Sequence, residues 1–316
     1  DWLTNNSFDF LSQSTGRTPG FEHRRTITFV KPYYWIVSDL MIPEEMNDSN
    51  DYKQIWHMPP ASGMVVNDDN KTMRSNYSHG ANIIVASADG EEVSALMDLG
   101  YYDSGSNQVQ DAPYGYFSRE NVIGKAVFDT VLVPSFNDTS MEVEAERLDT
   151  GAPKTTATAL KFTSQNAGVT DTGYYYLSYE DGIRQVRTFG SYTTDGQMAF
   201  VTEKSGGAIS NILIKDASVL KKNPENRVLV SYPEVLSDLS IEWKGNRLYI
   251  VTSGELDYSR LQIATPDYIR FLYINGKAKT FTVENGYLVI LGDDVTPENA
   301  YSIINLRYLT KRSLMV

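Results

Sequence analysis

The chain has 316 residues, 41% of them hydrophobic, and a formal net charge of -12. This length is sufficient for a buried core and for two domains. The acidic charge argues against nucleic acid or an anionic membrane as partner, because both need a basic surface. The chain has no cysteine, which excludes disulfides and cysteine-ligated zinc. No apolar run approaches the ~20 residues of a membrane-spanning helix, so the sequence predicts no membrane span.

Short segments in which Val, Thr and aromatic residues alternate with polar residues predict β-strands throughout the chain. Gly-containing turn signals at Asp89-Gly90, Asp181-Gly182 and Asp195-Gly196 separate many of them. This regular punctuation predicts an all-β fold: a large antiparallel β-sandwich, supersandwich-like, followed by a smaller β domain. Residues 103–110 and 137–158 are predicted to be long surface loops. In chain order, the predicted strands cover 24–30, 33–39, 52–58, 82–86, 126–133, 174–179, 183–189 and 198–202.

A change in the sequence pattern after residue 222 predicts a domain boundary. The segment Asn223-Pro224-Glu225-Asn226 interrupts the strand pattern, and short strands then alternate with turns such as Asn275-Gly276 and Asn285-Gly286. We therefore predict a β-sandwich domain over residues 1–222 and a small β domain over residues 223–316.

The chain has three histidines, at positions 23, 57 and 79, so few residues are candidates for catalysis or metal binding. The sequence contains no H-E-x-x-H zinc motif, no G-x-S-x-G nucleophile elbow and no Walker loop. Metalloprotease, serine hydrolase, kinase and dinucleotide-binding functions are therefore disfavoured.

A predicted hairpin around Lys31-Pro32 makes His23 and Asp39 the leading pair of site residues. A three-residue loop would pair Arg25 with Asp39 and place His23 diagonally across from Asp39 on the same face, roughly 7 to 8 Å away at Cα. A two-residue loop would place them on opposite faces. With His57 from a third strand, His23 and Asp39 would form a ligand set of two imidazoles and one carboxylate, which suits zinc.

Each of these patterns also has a structural explanation. From the spacing alone, the favoured explanation is that His23 hydrogen-bonds Asp39 in the core of a sandwich and that His57 belongs to ordinary strand packing. His79 precedes Gly80 and reads as a turn residue, although it remains the substitute for His57 as third ligand. Residues 67–70, Asn-Asp-Asp-Asn, are rich in oxygen ligands for calcium but lack an ordered ligand spacing and are typical of a solvated turn.

Three segments carry a resemblance to a known family. Residues 23–39, HRRTITFVKPYYWIVSD, resemble the H-x-R-x-V-x-F-(V)-x-x-x-Y-x-x-V-x-D segment that opens the β-sandwich of heparinase II/III-like polysaccharide lyases. Residues 52–59, YKQIWHMP, resemble the next strand of that family, in which a His precedes a Pro, and residues 127–134, VFDTVLVP, resemble a later strand that ends in Pro. The resemblance covers about the first 215 residues well.

The resemblance implies an enzyme that cleaves uronate-containing polysaccharides, heparin/heparan sulfate-like or alginate-like, by β-elimination. It also implies an N-terminal α/α toroid that supplies most catalytic groups and that this chain lacks. The chain begins Asp1-Trp2-Leu3 with no initiator Met and no signal peptide, so we expect it to be a piece of a longer protein and to be inactive alone. The implied location is the periplasm or the exterior of a bacterium.

The resemblance also assigns roles to individual residues. Several members bind structural zinc through residues that correspond to His23, Asp39 and His57, and some place a further His two positions before the first ligand, where this chain has Phe21. The departure at Phe21 leaves open whether this domain contributes a catalytic side chain, and we predict none. Arg24 and Arg25 are predicted to bind substrate, because guanidinium groups bind carboxylates in bidentate fashion; the alternative is that they pair with acidic residues of their own sheet.

Two functions of other classes remain open from the sequence. One is a carbohydrate-binding or interaction module without lyase activity. The other is a self-contained hydrolase, whose two carboxyl groups would face each other across a cleft at roughly 5 to 10 Å. The sequence does not single out such a pair.

Overall fold

The computed structural model describes residues 1–4, 8–15, 19–31, 33–59, 63–78, 80–103, 105, 109–136, 142–166 and 169–294. Within these ranges the chain forms 24 β-strands and two short 3-10 helices, which confirms the predicted all-β fold. None of the helices in these ranges is long and apolar enough to cross a membrane. The chain divides into unit 1, Asp1–Gly182 with Thr202–Ala208, and unit 2, Ile183–Val201 with Ile209–Val316.

Unit 1 contains an eight-stranded sheet in the order β1-β2-β3-β4-β11-β8-β7-β6. Every pair in it for which a register is defined is antiparallel. Its strands are β1 (Trp2–Thr4), β2 (Phe8–Thr15), β3 (Phe21–Val30), β4 (Tyr34–Pro43), β6 (Gly63–Asn67), β7 (Thr72–Asn76), β8 (Ala81–Ser87) and β11 (Ala126–Phe136).

One face of this sheet packs on a second set of antiparallel strands, which makes unit 1 a β-sandwich. The Tyr34 ring meets the Phe162 ring edge-on at 4.9 Å, and the hydroxyls of Thr28 and Tyr175 are 3.2 Å apart. The side chains on this face alternate with those on the other face, as the pleat requires. The second set consists of β12 (Glu142–Arg147), β13 (Ala157–Asn166) and β14 (Val169–Ser178).

The other face of the eight-stranded sheet carries a small antiparallel sheet in the order β5-β10-β9. Phe117 of this small sheet and Phe128 of the large sheet are both buried in one apolar cluster, which also contains Tyr52, Met73 and Val85. Gly90–Glu92 forms the short helix η1 before β9. The strands are β5 (Ser49–His57), β9 (Ser94–Asp103) and β10 (Val109–Ile123).

Unit 2 is also built from strands, ordered β17-β18-β19-β20-β22-β23-β24. The β20 and β22 strands pair in parallel, and β15 pairs with β16, which pairs with β18. The short helix η2 spans Tyr258–Arg260, and residues 202–204 at the end of β17 belong to unit 1. The strands are β15 (Arg187–Phe189), β16 (Tyr192–Thr194), β17 (Met198–Lys204), β18 (Ile209–Lys222), β19 (Arg227–Lys244), β20 (Arg247–Val251), β21 (Gln262–Ile263), β22 (Phe271–Ile274), β23 (Lys277–Glu284) and β24 (Tyr287–Asp294).

Two sequence expectations differ from the structure. The domain division into 1–222 and 223–316 stays a prediction; position 222 lies at the turn of the β18–β19 hairpin, inside unit 2. The predicted loop 137–158 contains β12. The predicted strand 183–189 is reduced to Arg187–Phe189, and Ile183 and Val186 before it are exposed.

Candidate functional site

The β3–β4 hairpin has the register that a three-residue loop predicts. Val30 pairs with Tyr34 and Arg25 pairs with Asp39, so residues 31–33 form the connection; Pro32 lies outside the described residues. His23 and Asp39 lie on one face, and His23 Nε2 is 2.8 Å from Asp39 Oδ1. The predicted convergence of these two side chains is therefore present.

Asp39 is the centre of this site. It is 2% exposed, and its Oδ1 accepts a hydrogen bond from Arg25 Nε at 2.7 Å in addition to the contact with His23. Its Oδ2 accepts a hydrogen bond from Arg25 Nη2 at 2.7 Å and another from Gln54 Nε2 at 2.8 Å. We call Asp39, His23, Arg25 and Gln54 the Asp39 cluster. It ties the large sheet to the small sheet, because Gln54 belongs to β5.

The hydrogen bonds of the Asp39 cluster keep the carboxylate ionised. Burial alone would raise the pKa of Asp39, but the hydrogen bonds from Arg25, His23 and Gln54 and the charge of Arg25 lower it to about 2. The hydrogen bond to Asp39 in turn raises the pKa of Arg25. The buried charge is thus paired and hydrogen-bonded on both oxygens, the condition under which a buried ion is tolerated.

Aromatic residues surround the cluster. The Arg25 guanidinium lies 6.0 Å from the ring centroid of Trp56, and the Trp56 indole donates to Gln54 Oε1 at 3.3 Å. Phe21, at the position where relatives of the resembled family place a further His, packs edge-on against Tyr52 at 5.8 Å. Phe21 therefore contributes apolar packing, and it has no group that transfers a proton.

Arg24 and Arg25 do not form one patch, because consecutive residues of a strand point to opposite faces. Arg25 is committed to Asp39, whereas Arg24 donates to the Tyr179 carbonyl at 3.1 Å and lies 3.3 Å from the Asp181 carboxylate. Both arginines thus pair with groups of their own domain, which was the alternative to substrate binding. Substrate binding by Arg24 and Arg25 stays a prediction.

The described residues do not assemble the predicted zinc ligands. No group of three or more His, Cys, Asp or Glu side chains among them is placed to hold a metal ion. Gln54 points inward to Asp39, so His57, three positions along β5, lies on the outer face, where its ring is 5.4 Å from that of Tyr114. Asp39 already accepts four hydrogen bonds, about the capacity of a carboxylate. His79 lies outside the described residues.

Sequence reasoning missed Gln54, and the only available signal was its position, three residues before His57 in the strand that resembles the family. It also missed a second buried cluster between the two layers of the sandwich. In that cluster Arg147 lies 2.6 Å from Asp129 and also contacts Asp89, while Ser38 donates to Asp129 at 2.5 Å. Arg147 comes from β12, which lies within the loop predicted over residues 137–158.

Two cavities in unit 1 lie away from the Asp39 cluster. One of about 290 Å³ has Val65, Asn67, Asn70, Thr72, Arg74, Ile84, Val143 and Glu144 among its lining residues. The other, of about 250 Å³, is lined by residues 147–150, Ala152, Lys154 and Ala157. The described lining of each contains one carboxylate, Glu144 or Asp149 respectively. Neither presents the pair of carboxylates that a hydrolase of the inverting or retaining type uses.

Residues 67–70 form the turn between β6 and β7. The Asn67 side chain accepts from the Asn70 backbone amide at 3.1 Å, and Asp68 accepts from the Ala95 amide at 2.6 Å and from Lys71 at 3.0 Å. The oxygen atoms thus hold the turn, as expected for a structural loop rather than a calcium site.

No protein-family model matches the chain, and no curated protein matches it. The solved structures that match include heparan sulfate lyases and heparinases. Heparan sulfate lyase HepC from Pedobacter heparinus is 20% identical over 54% of this chain and 26% of that chain, with a TM-score of 0.47. A mutant of the same lyase is 18% identical over 57% of this chain and 28% of that chain, with a TM-score of 0.49. Heparinase III is 17% identical over 54% of this chain and 26% of that chain, with a TM-score of 0.45.

The chain spans about a quarter of the length of these lyases.

Proposed function

We propose that the chain is the β-sandwich portion of a polysaccharide lyase that cleaves uronate-containing polysaccharides by β-elimination. The observation that carries the proposal is the β3–β4 hairpin. In the segment that resembles the lyase family, its register brings His23 and Arg25 onto the buried carboxylate of Asp39. A one-residue change of register would have moved these side chains to the wrong face.

The catalytic groups that β-elimination requires are proposed to lie outside this chain, in another part of the same protein. β-Elimination needs the uronate carboxylate neutralised, a base that removes the C5 proton and an acid that protonates the leaving oxygen. In the Asp39 cluster the cationic side chain is engaged by Asp39, and Phe21 cannot transfer a proton. We therefore propose that the base and the acid come from an α/α toroid of the same protein, and that this chain is inactive alone.

A direct assay tests this division. The 316-residue chain and the longer protein that we propose contains it are each incubated with heparan sulfate and with alginate, and the ultraviolet absorbance of unsaturated uronate is followed. We expect product from the longer protein on at least one substrate and none from the chain alone. Product from the chain alone would contradict the division of work, and no product from the longer protein would contradict the lyase proposal.

The second candidate is a carbohydrate-binding module without lyase activity. The outer face of the small sheet favours this candidate, because it carries the exposed ring of His57 beside the half-buried ring of Tyr114. Polysaccharide binding by the longer protein without any unsaturated product would support the module and exclude the lyase.

The location that goes with this function is the periplasm or the exterior of a bacterium, where acidic polysaccharides are met. Cell fractionation of the native host with an antibody against the chain tests this part of the proposal. Recovery in the cytoplasmic fraction would contradict it.

Zinc at His23, Asp39 and His57 stays a prediction from the resemblance, and the geometry argues against it. A metal at Asp39 would have to displace Arg25 or Gln54, and His57 would have to turn to the other face of β5. We expect elemental analysis of the purified chain to find well below one zinc per chain, with no difference in an Asp39→Ala variant. Near-stoichiometric zinc that is lost in the variant would restore the metal site.

A further inference from the structure

The outer face of the small sheet carries a row of aromatic side chains. Along β10, Gly115 and Phe117 point inward; Phe117 is fully buried, and a Cβ at Gly115 would meet the Met73 sulfur. Tyr114 and Tyr116 therefore point outward. Tyr114 pairs with His57 of β5 and with Asp98 of β9. We call Lys53, Tyr116, Tyr114 and His57 the tyrosine row.

The rings of the tyrosine row follow one another at regular spacing. The centroids of Tyr116 and Tyr114 are 5.9 Å apart with the planes tilted by 32°, and those of Tyr114 and His57 are 5.4 Å apart and tilted by 37°. Lys53 Nζ lies 4.4 Å from the centre of the Tyr116 ring. The spacing is comparable with the advance of one sugar unit along an extended polysaccharide.

The position of Tyr114 is fixed by its neighbours. Its hydroxyl donates to the Asp98 carboxylate at 3.2 Å, and its ring covers Gly100, where a Cβ would lie 3.1 Å from the nearest ring carbon. Only a residue without a side chain lets the ring lie there undisturbed. A ring that is held in place loses little conformational entropy when a ligand stacks on it.

We propose that the tyrosine row binds a stretch of acidic polysaccharide, with sugar rings against Tyr114 and Tyr116 and a sugar carboxylate or sulfate paired with Lys53. A sugar has an apolar C–H face and a polar rim, which match the apolar body and polar tip of tyrosine. A protein partner suits this surface less well, because the cores of protein interfaces are depleted of charge and both Lys53 and Asp98 are exposed along the row.

The choice of an acidic polysaccharide rests on the proposed function, but the test does not require lyase activity. The intact chain is titrated with heparan sulfate oligosaccharides, with alginate oligosaccharides and with the neutral cellohexaose, using calorimetry. We expect binding of at least one acidic probe. Tyr114→Ala and Tyr116→Ala should each weaken it about tenfold, and Tyr268→Ala, an exposed tyrosine of unit 2, should leave it unchanged.

Two further variants separate stacking from charge. Lys53→Gln should weaken binding of the acidic probe and remove much of its salt dependence, whereas Lys125→Gln, also exposed, should not. Gly100→Ala should weaken binding by displacing Tyr114. Gly63→Ala, where the Cβ would make an ordinary 3.5 Å contact, serves as its control.

Unchanged affinity in both Tyr114→Ala and Tyr116→Ala, with unchanged circular dichroism, would overturn the proposal, as would failure of all acidic probes to bind. Self-association of the chain that these two variants abolish, without polysaccharide binding, would assign the row to a second copy and overturn it as well. Loss of binding in the variants while the longer protein still cleaves short oligosaccharides would support the row. Absence of cleavage with binding intact would remove the lyase proposal alone.

Discussion

The buried carboxylate of Asp39 accepts four hydrogen bonds from three side chains, and these side chains do not contribute equally to stability. Arg25 supplies two of the four hydrogen bonds and the only permanent positive charge. His23 and Gln54 supply one each. Removing a partner from a buried charge costs the desolvation of the group left behind, which exceeds the net value of the interaction itself.

We predict that Arg25→Gln lowers the free energy of unfolding by about 2–4 kcal/mol, because it leaves the Asp39 carboxylate without its counter-charge. Lys161→Gln removes the ion pair of the partly exposed Lys161 with the exposed Glu146, and should cost at most about 1 kcal/mol. Urea unfolding of the two variants, followed by circular dichroism, makes the comparison. Equal effects would mean that Asp39 does not depend on Arg25.

The low pKa of Asp39, about 2, predicts how stability depends on pH. The pKa in the folded state lies below the ~3.9 of an unfolded Asp. The contribution of Asp39 is therefore complete above pH ~4 and is lost as the pH falls toward 2, by about 2–3 kcal/mol in total. The charged or titratable partners that face it are Arg25 and His23.

Comparison of wild type with Asp39→Asn isolates this contribution. The difference in unfolding free energy should be constant between pH 4 and 6 and should shrink between pH 4 and 2. The same substitution at Asp181, which is 77% exposed, should show no such change. A difference that stays constant down to pH 2 would contradict the assignment.

The sequence was sufficient to predict His23 next to Asp39 because both lie on one hairpin, where loop length alone decides the register. It was not sufficient for the contacts of Gln54 and His57. These depend on how β5 packs against the large sheet, and a strand whose two faces both carry polar residues does not show which face is buried. The same limit applies to Arg24, whose partner Tyr179 is far from it in the sequence.

At the level of elements, two glycines let neighbouring side chains pack closely against their strands, and these side chains differ in stiffness. A Cβ at Gly173 on β14 would lie 2.4 Å from the Phe162 ring on β13, and that ring packs against Tyr34. A Cβ at Gly115 on β10 would meet Met73 and Met64 side chains at 2.4 to 3.0 Å. Methionine adapts its shape more easily than a packed aromatic ring.

We therefore predict that Gly173→Ala lowers the free energy of unfolding by about 2–3 kcal/mol and Gly115→Ala by about 1 kcal/mol, because overpacking costs more where the neighbour cannot move. Neither glycine has a positive φ, so backbone strain does not confuse the comparison. Thermal and urea unfolding of both variants give the values. A larger loss at Gly115 would show that the methionine pair is the more rigid neighbour.

Strands rich in β-branched and aromatic residues were the most predictable elements. The predicted strands 24–30, 33–39 and 126–133 lie within β3, β4 and β11, with Tyr33 one residue before β4. The β12 strand was assigned to a loop because its acidic residues suggested solvent, although Val143 and Arg147 alternate with them and face the sandwich core. A charged side chain that ends in a buried ion cluster gives no hydrophobic signal.

At the scale of the whole molecule, the segment around Asn223-Pro224, where the sequence predicts a domain boundary, forms the turn of a hairpin. The segment connects β18 to β19, which pair over most of their length. Pro and Asn residues are as typical of a hairpin turn as of a linker between domains. The pairing of the strands on either side of the segment distinguishes the two. Residues 202–208 belong to unit 1 although they lie in the sequence between the two segments of unit 2. A unit made of separate segments produces no change in amino-acid composition at its boundaries.

This difference predicts the behaviour of a chain truncated after Lys222. Such a chain keeps β18 but loses β19, its hydrogen-bonding partner, and exposes the apolar residues Ile212, Leu213 and Ile214 that are buried in the full chain. An unpaired apolar strand favours aggregation. We expect the truncated chain to elute from size-exclusion chromatography as aggregates and the full chain not to do so. A monodisperse, folded 1–222 chain would support the boundary at 222.

The sharing of Asp39 between β3 and β5 has a consequence for how related sequences can diverge. Because Arg25 and Gln54 meet on one carboxylate, a replacement at one position changes what is acceptable at the other, and their effects should not add. An apolar residue at position 39 is better tolerated once Arg25 has also become apolar, since the partly exposed guanidinium otherwise loses its carboxylate partner. Evolution should therefore replace these three positions together or not at all.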